Sequence, residues 1–210
     1  MTAYRFISLP LVAFLFLLLA GCFGTSPPTR FYTLSPVENR RIPAPAAFAA
    51  VLTVGPVTIP DYLERRQIVS RTGENGIVLA EFDQWGGSLD DEITRVLVAA
   101  IAERLAPLRI AVLSGKSLAM ADTEGEYRLP VKVSRFDGAR GGTVVLNAVW
   151  GAVEKRDKRE RYLFTQESAI TEEVAGNSYE ALVGAMGRAA GKLGMEMADR
   201  LAPLIQKRSP

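Results

Sequence analysis

The segment SLDDEITRVLVAAIAERLAP, from Ser88 to Pro107, has the clearest helical pattern in this chain. Its apolar residues recur every three or four positions, which places them on one face of a helix. They are Leu89, Ile93, Val96, Leu97, Ala100, Ile101 and Leu105. Ser88 can cap the N-terminus, the acidic residues Asp90–Glu92 suit the first turn, and Pro107 ends the pattern. We therefore expect one amphipathic helix that packs against a core.

A second and longer helix is predicted from about Ser178 to Ile205. Its buried stripe is expected to hold Tyr179, Leu182, Val183, Met186, Ala190, Leu193, Met197 and Leu201. Four glycines interrupt it, namely Gly184, Gly187, Gly191 and Gly194. Because each glycine costs a helix about 1 kcal/mol relative to Ala, we interpret them as positions where a neighbouring surface approaches closely.

The remaining sequence alternates short apolar or β-branched segments with turn-forming residues, a pattern typical of strands. The predicted strands span residues 30–34, 51–59, 67–71, 77–82, 108–113, 127–133, 143–153 and 161–170. A bend is expected at Gly55-Pro56 and a turn at Asp137–Gly142. Strands combined with two main helices predict an α/β or α+β domain, in which helices cover a mixed sheet.

The N-terminus has the pattern of a lipoprotein signal. Arg5 precedes an apolar run that ends in Leu19-Ala20-Gly21-Cys22, and this ending resembles the bacterial lipobox, in which the cysteine is acylated. The run is shorter than the roughly 20 residues that span a bilayer. We therefore expect a signal peptide over 1–21, a lipidated tether over 22–29 and one domain over 30–210. A membrane anchor or an ordinary secretory signal with a chance cysteine are the alternatives.

The composition argues against several classes of function. The chain has no histidine, one cysteine and a formal charge of +2. Without histidine the commonest general base and metal ligand is absent, and acylation of Cys22 would remove the thiolate. We predict no enzymatic activity, no metal and no cofactor apart from the lipid on Cys22, and the small charge does not indicate a nucleic-acid partner. Helix capping explains Asp90–Glu92 better than a metal cluster does.

Two motifs resemble a known family. The first runs from Val54 to Leu63 and continues with Arg66-Gln67-Ile68-Val69, and the second runs from Glu81 to Leu89. With Phe31-Tyr32-Thr33-Leu34 just past the cysteine, this order is similar to that of the ABC-type transport auxiliary lipoproteins. The resemblance implies a three-layer mixed sheet with two main helices, like the anticodon-binding domain, and it implies no catalytic residues.

The same resemblance implies a place and a partner. It implies a domain that faces the periplasm from the outer membrane and docks a lipid-transport assembly there, through a PqiB-like protein with mammalian-cell-entry (MCE) domains. Phe23 agrees with outer-membrane sorting, since it replaces the Asp that retains enterobacterial lipoproteins in the inner membrane. Whether the protein forms a homo-oligomer is left open. The alternative function is that of a stand-alone envelope lipoprotein with a structural or assembly-chaperone role.

Two segments are candidates for the docking surface. Asp61-Tyr62-Leu63 and the loop around Trp85 both lie in regions predicted to be irregular, where binding groups are often presented. Tyr and Trp are also favoured as interface anchors. The alternative is that Tyr62 and Trp85 close the ends of the core.

Overall fold

The computed structural model describes residues 26–35, 48, 50–115, 126–156 and 159–207. Cys22 and the signal peptide predicted before it lie outside these residues. The strands are β1 (Arg30–Tyr32), β2 (Ala50–Thr58), β3 (Gln67–Thr72), β4 (Gly76–Trp85), β5 (Ile110–Ser114), β6 (Glu126–Gly138), β7 (Thr143–Arg156) and β8 (Arg159–Glu173). The helices are α1 (Leu89–Leu105) and α2 (Tyr179–Gln206), with short 3-10 turns at Asp61–Leu63 and Ala106–Leu108. The predicted mixed α/β class with two main helices is confirmed.

The strands are divided between two sheets, which the sequence did not indicate. The larger sheet has the order β5-β2-β6-β7-β8, and the smaller has the order β1-β4-β3. In the larger sheet β2 runs parallel to β5 and β6, while β6, β7 and β8 form antiparallel pairs. In the smaller sheet β1 is parallel to β4, and β3 and β4 form the predicted hairpin.

The bend predicted at Gly55-Pro56 is present in β2. The register of β2 against β6 shifts between Val54 and Val57, and Gly55 has φ +113°, a conformation that favours glycine. Beyond this point β5 no longer pairs with β2, and the last bond on that side joins the N–H of Gly115 to the carbonyl of Val54 at 2.8 Å. The end of β2 stays paired with β6 through Val57 and Thr58, and within the described ranges no strand pairs with its other side.

The two helices pack against each other at a glycine. A Cβ placed on Gly194 would lie 2.7 Å from the Cβ of Ala100 and 3.4 Å from the carbonyl oxygen of Leu97. A Cβ on Gly187 would lie 2.8 Å from the carbonyl oxygen of Ser35. Close approach is thus confirmed at two of the predicted glycines, whereas Gly184 is exposed and its Cβ would meet only the Arg188 side chain at 3.7 Å.

The start of α1 differs in detail from the prediction. The Ser88 hydroxyl makes no capping bond to the helix backbone but donates to the Asp91 carboxylate at 2.8 Å. The Glu92 carboxylate accepts the backbone N–H of Leu34 at 2.8 Å and a bond from Arg95 at 2.6 Å. The acidic first turn therefore holds the segment that follows β1 against α1, in addition to matching the helix dipole.

The contact between the helices yields a matched pair of variants. Gly194→Ala should lower the free energy of unfolding by up to about 2 kcal/mol, because overpacking typically costs about 1–3 kcal/mol and the helix-propensity gain of about 1 kcal/mol offsets only part of that cost. Gly184→Ala adds the same methyl group at an exposed position, in ordinary contact with the Arg188 side chain only, so it should raise stability by up to about 1 kcal/mol. Urea melts measure both. Equal effects at the two positions would contradict the close packing of α1 and α2.

Candidate docking cleft

A surface cleft lies where the smaller sheet meets the end of β2 and the start of α1. Its volume is about 660 Å³, within the usual range of roughly 300–1,000 Å³ for binding pockets. Apolar side chains from several elements line it together with two adjacent cations. They include Phe31, Ile59, Leu63, Trp85, Arg65 and Arg66. Apolar walls beside charged groups suit binding of a partner.

Backbone hydrogen bonds fix the walls of this cleft. The 3-10 turn is closed by a bond from the N–H of Leu63 to the carbonyl of Pro60 at 2.8 Å. The N–H of Trp85 donates to the carbonyl of Arg66 at 2.7 Å, and the N–H of Gly86 donates to the carbonyl of Tyr32 at 2.7 Å. The cleft is therefore part of the folded framework and does not depend on long side chains for its shape.

Of the four predicted docking residues, Leu63 and Trp85 line the cleft, whereas Asp61 and Tyr62 lie outside its lining. Asp61 is exposed and Tyr62 is half-buried, whereas Leu63 is 2% exposed and Trp85 is 3% exposed. Trp85 lies at the end of β4 and not in the predicted loop, and its side chain packs in the core, which agrees with the alternative that it closes the end of the core. Leu63 and Trp85 thus form the floor of the cleft and cannot act as protruding anchors.

The aromatic side chain that the cleft does present is Phe31. It is 64% exposed, while its neighbours in β1, Arg30 and Tyr32, turn to Asp83 on the other face of the strand. The Tyr32 hydroxyl donates to the Asp83 carboxylate at 2.7 Å and Arg30 donates to it at 3.0 Å. Asp83 is 4% exposed, so this buried acceptor fixes the short β1 strand and with it the position of Phe31.

A buried carboxylate supports the cleft from behind. Asp137 is fully buried and accepts hydrogen bonds from three side chains on separate elements. The Tyr62 hydroxyl donates to it at 2.5 Å, Arg71 at 2.7 and 3.1 Å, and Arg135 at 3.0 Å. Because Tyr62 belongs to the 3-10 turn and Arg71 to β3, the cluster joins the smaller sheet to β6 of the larger one.

The cluster changes the acidity of its members. Burial raises the pKa of Tyr62 to about 12, and the hydrogen bond to Asp137 adds to this effect. Burial would also raise the pKa of Asp137, but the bonds from Arg71, Tyr62 and Arg135 outweigh it and hold that pKa below its ordinary value. Asp137 is therefore ionised and Tyr62 neutral at physiological pH.

The expectation for Asp137 was wrong. The sequence Asp137-Gly138 after an apolar strand indicates a turn, but β6 continues to Gly138 and the turn begins at Ala139. Its partner Arg71 is 66 positions away, so no local pattern could reveal the pair. The one signal in the sequence was the alternation of apolar and polar residues from Tyr127 toward Val133, which is also the pattern of a longer strand.

The rim of the cleft carries two arginine side chains that are accessible to a binding partner. Arg65 and Arg66 are exposed and form no ion pair with any other residue that the structure describes. Glu64 and Asp90 also border the cleft. In the described ranges no group of three His, Cys, Asp or Glu residues is placed to hold a metal ion. The arrangement offers binding contacts of both polar and apolar kinds.

Comparison with known proteins identifies relatives along nearly the whole domain. A family model for the "ABC-type transport auxiliary lipoprotein component" matches residues 32–198. The "Intermembrane transport lipoprotein PqiC" of Escherichia coli (strain K12) is 26% identical over 192 residues, covering 89% of this chain and 96% of the relative. The protein of the same name from Shigella flexneri matches at the same identity and coverage.

Two crystal structures share the fold. A Xanthomonas campestris protein has a TM-score of 0.64 at 16% identity, over 86% of this chain and 99% of the other. An uncharacterized protein has a TM-score of 0.65 at 19% identity, over 83% and 99%. At these identities the likeness concerns the fold alone.

The Asp137 cluster predicts a large loss of stability on truncation. Asp137→Ala leaves three donors without their buried acceptor, so it should lower the free energy of unfolding by about 3–5 kcal/mol. Glu160→Ala is the matched control, since Glu160 pairs with Arg128 at 2.8 Å with both side chains more than 40% exposed. It should cost less than about 1 kcal/mol. Similar losses in urea melts would contradict the role given to Asp137.

The same variant has a pH signature. A carboxylate whose pKa is lowered by folding stabilises the protein above its unfolded pKa of about 3.9. The contribution is lost as the pH falls through the folded pKa. The stability gap between the wild type and Asp137→Ala should stay constant from about pH 8 to 5 and narrow below about pH 4. A gap that widened on acidification would contradict the lowered pKa.

Proposed function

The chain belongs to the ABC-type transport auxiliary lipoprotein family, and from this we propose that it docks a periplasmic transport assembly to the outer membrane. In this proposal acyl chains on Cys22 hold the protein in the outer membrane and the domain faces the periplasm. Its partner is an MCE-domain protein of an intermembrane lipid transport system. The protein itself has a binding role and no catalytic one.

The proposed anchor is supported by sequence and family together. Cys22 follows Leu19-Ala20-Gly21, and the family consists of lipoproteins. One acyl chain anchors a protein only marginally, whereas two or more hold it stably. Within the described ranges, no helix has both the length and the apolar character that crossing a membrane requires. A lipid on Cys22 would supply the attachment instead.

The docking role is supported by the cleft, and this is the observation that carries it. Phe31 is an exposed aromatic group held on a fixed strand, and Arg65 and Arg66 are neighbouring cations on the rim. Exposed aromatic and arginine side chains contribute most to protein interfaces. The name of the Escherichia coli relative, an intermembrane transport lipoprotein, supports a transport assembly as the partner.

The anchor is tested with two substitutions at adjacent positions. Cys22→Ala should abolish labelling by a clickable palmitate and release the protein from the membrane fraction or leave its signal peptide uncleaved. Phe23→Asp, expressed in an enterobacterial host, should keep the label but move the protein to the inner-membrane fraction. Labelling that persists in Cys22→Ala would sink the lipoprotein anchor, and outer-membrane recovery of Phe23→Asp would contradict the sorting.

The docking role is tested at the charged rim. Reversing both cations, Arg65→Glu with Arg66→Glu, should abolish co-purification with the co-expressed MCE-domain protein. The melting temperature should not change, because both side chains are exposed. Arg159→Glu on β8 is the control, since it reverses an exposed arginine outside the cleft. Retained co-purification of the double variant, or equal loss with Arg159→Glu, would remove the cleft from the docking surface.

A further inference from the structure

A run of exposed aliphatic residues occupies the start of β4. Ile77, Val78 and Leu79 are each 41–42% exposed, although they are consecutive residues of a β-strand. β1 pairs with β4 only from Asp83 onward, so in the described part of the chain no strand covers this edge of β4 before that residue. Single exposed aliphatic residues are common, but a consecutive run on an uncovered strand edge indicates a contact site.

The sequence explains why residues 26–29 leave this edge uncovered. Pro27 and Pro28 come just before β1, and residues 26–29 are exposed and outside any strand. Proline has no N–H to donate to a sheet. Successive residues of a strand point their N–H groups in opposite directions, so two adjacent prolines leave one required donor missing whichever way the strand is set. β1 therefore begins after them, at Arg30.

The direction of β1 places the aliphatic edge next to the membrane anchor. Because β1 is parallel to β4, the chain reaches Arg30 from the end of the sheet at which β4 begins. Arg30 is level with Asp83, so Leu79 and Ile77 lie about 13 and 20 Å away toward that end, at about 3.3 Å per residue. Cys22 is eight positions before Arg30, which limits their separation to about 28 Å.

The opposite end of the molecule is well separated from this edge. Arg71, directly across from Ile77, bonds to Asp137 near the end of β6. Tyr162 pairs with Val153, which is level with Arg128 at the other end of β6. Arg128 and Asp137 are nine positions apart along β6, or about 30 Å. Tyr162 is 72% exposed. It lies at the end of the molecule far from β1, so the short tether would not bring it to the membrane.

We propose that Ile77, Val78 and Leu79 rest against the lipid leaflet that holds the acyl chains of the protein. The inference rests on the proposed anchor at Cys22 and adds a second point of contact, which would fix how the domain is oriented on the membrane. Apolar side chains of interfacial elements reach roughly 5–10 Å into the boundary between headgroups and acyl chains, and three aliphatic side chains at the exit of the tether suit that depth.

The contact is shallow for two physical reasons. The hairpin turn before β4 carries the carboxylate of Glu74, and Glu81 is exposed further along the strand. The uncovered edge of β4 also presents backbone groups that need water, and neither kind of group is tolerated in hydrocarbon. Arg71 is held by Asp137 and by the carbonyl of Glu74. The contact therefore depends on apolar side chains and should be insensitive to the content of anionic lipid.

The lone cysteine makes a direct test simple. Acylation consumes the thiol of Cys22, the chain's one natural cysteine, so a cysteine introduced elsewhere is the only site for a thiol-reactive, polarity-sensitive fluorophore. The full-length lipoprotein carries either Val78→Cys or the control Tyr162→Cys. It is reconstituted in vesicles of phosphatidylethanolamine and phosphatidylglycerol that contain doxyl quenchers near the headgroups or near the chain ends.

The proposal predicts a blue shift and several-fold stronger quenching at position 78 than at position 162. Quenchers near the headgroups should act more strongly than those near the chain ends, and vesicles without phosphatidylglycerol should give the same result. Equal quenching at both positions, or a fluorophore at 78 that stays in water, would overturn the membrane contact. A third outcome would also overturn it: a fluorophore at 78 that is shielded from water more strongly as the protein density in the vesicles rises, but is not quenched by the lipids. That result would indicate that a second copy of the protein covers position 78.

Flotation of the same vesicles separates this inference from the one on which it rests. Protein that floats with the vesicles but keeps the probe at 78 in water contradicts the contact and leaves the anchor intact. Protein that fails to float, with no acyl label on Cys22, contradicts the anchor and the contact together. Leu79→Cys repeats the measurement with a side chain on the opposite face of the same strand, and a blue shift there as well is expected because the proposal places the strand edge, with both faces beside it, against the leaflet.

Discussion

The carboxylate of Asp137 is the constraint on which the arrangement of the two sheets depends. It is fully buried, and a buried charge is tolerated only when paired and hydrogen-bonded. Its donors come from the 3-10 turn, from β3 and from β6 itself. Satisfying one carboxylate therefore fixes where the smaller sheet sits on the larger one, and it sets the direction of the turn that places Leu63 in the floor of the cleft.

The two sheets have different roles in the molecule. The larger sheet and the closely packed helices form a scaffold, in which Gly194 lets α2 approach α1. The smaller sheet carries both surfaces that we assign to binding. Phe31 of β1 faces the cleft, while the start of β4 presents aliphatic residues beside the tether. In this account the membrane and the transport partner would contact one small sheet, whose position the Asp137 cluster determines.

Local patterns in the sequence predicted much of the fold. Helical periodicity gave α1 and α2, turn residues gave the β3–β4 hairpin, and Gly55-Pro56 marked the bend in β2. The division into two sheets could not be predicted, because it depends on pairing between strands that are distant in the chain, such as Arg30 of β1 with Asp83 of β4. The cleft was predicted only in part. Its segments were named, but the burial of Trp85 depends on packing between distant elements, and the exposure of Phe31 depends on pairing between β1 and β4.

The central claim is that the cleft contacts the transport partner in the living cell, and photo-crosslinking measures that contact directly. A photoreactive phenylalanine analogue at position 31 keeps the aromatic character of Phe31 and is introduced in the full-length lipoprotein, with the same analogue at Tyr162 as the control. We expect an adduct with the MCE-domain protein, identified by mass spectrometry, from position 31 and not from position 162. An adduct from position 162 alone, or adducts from position 31 only with copies of this chain, would contradict it.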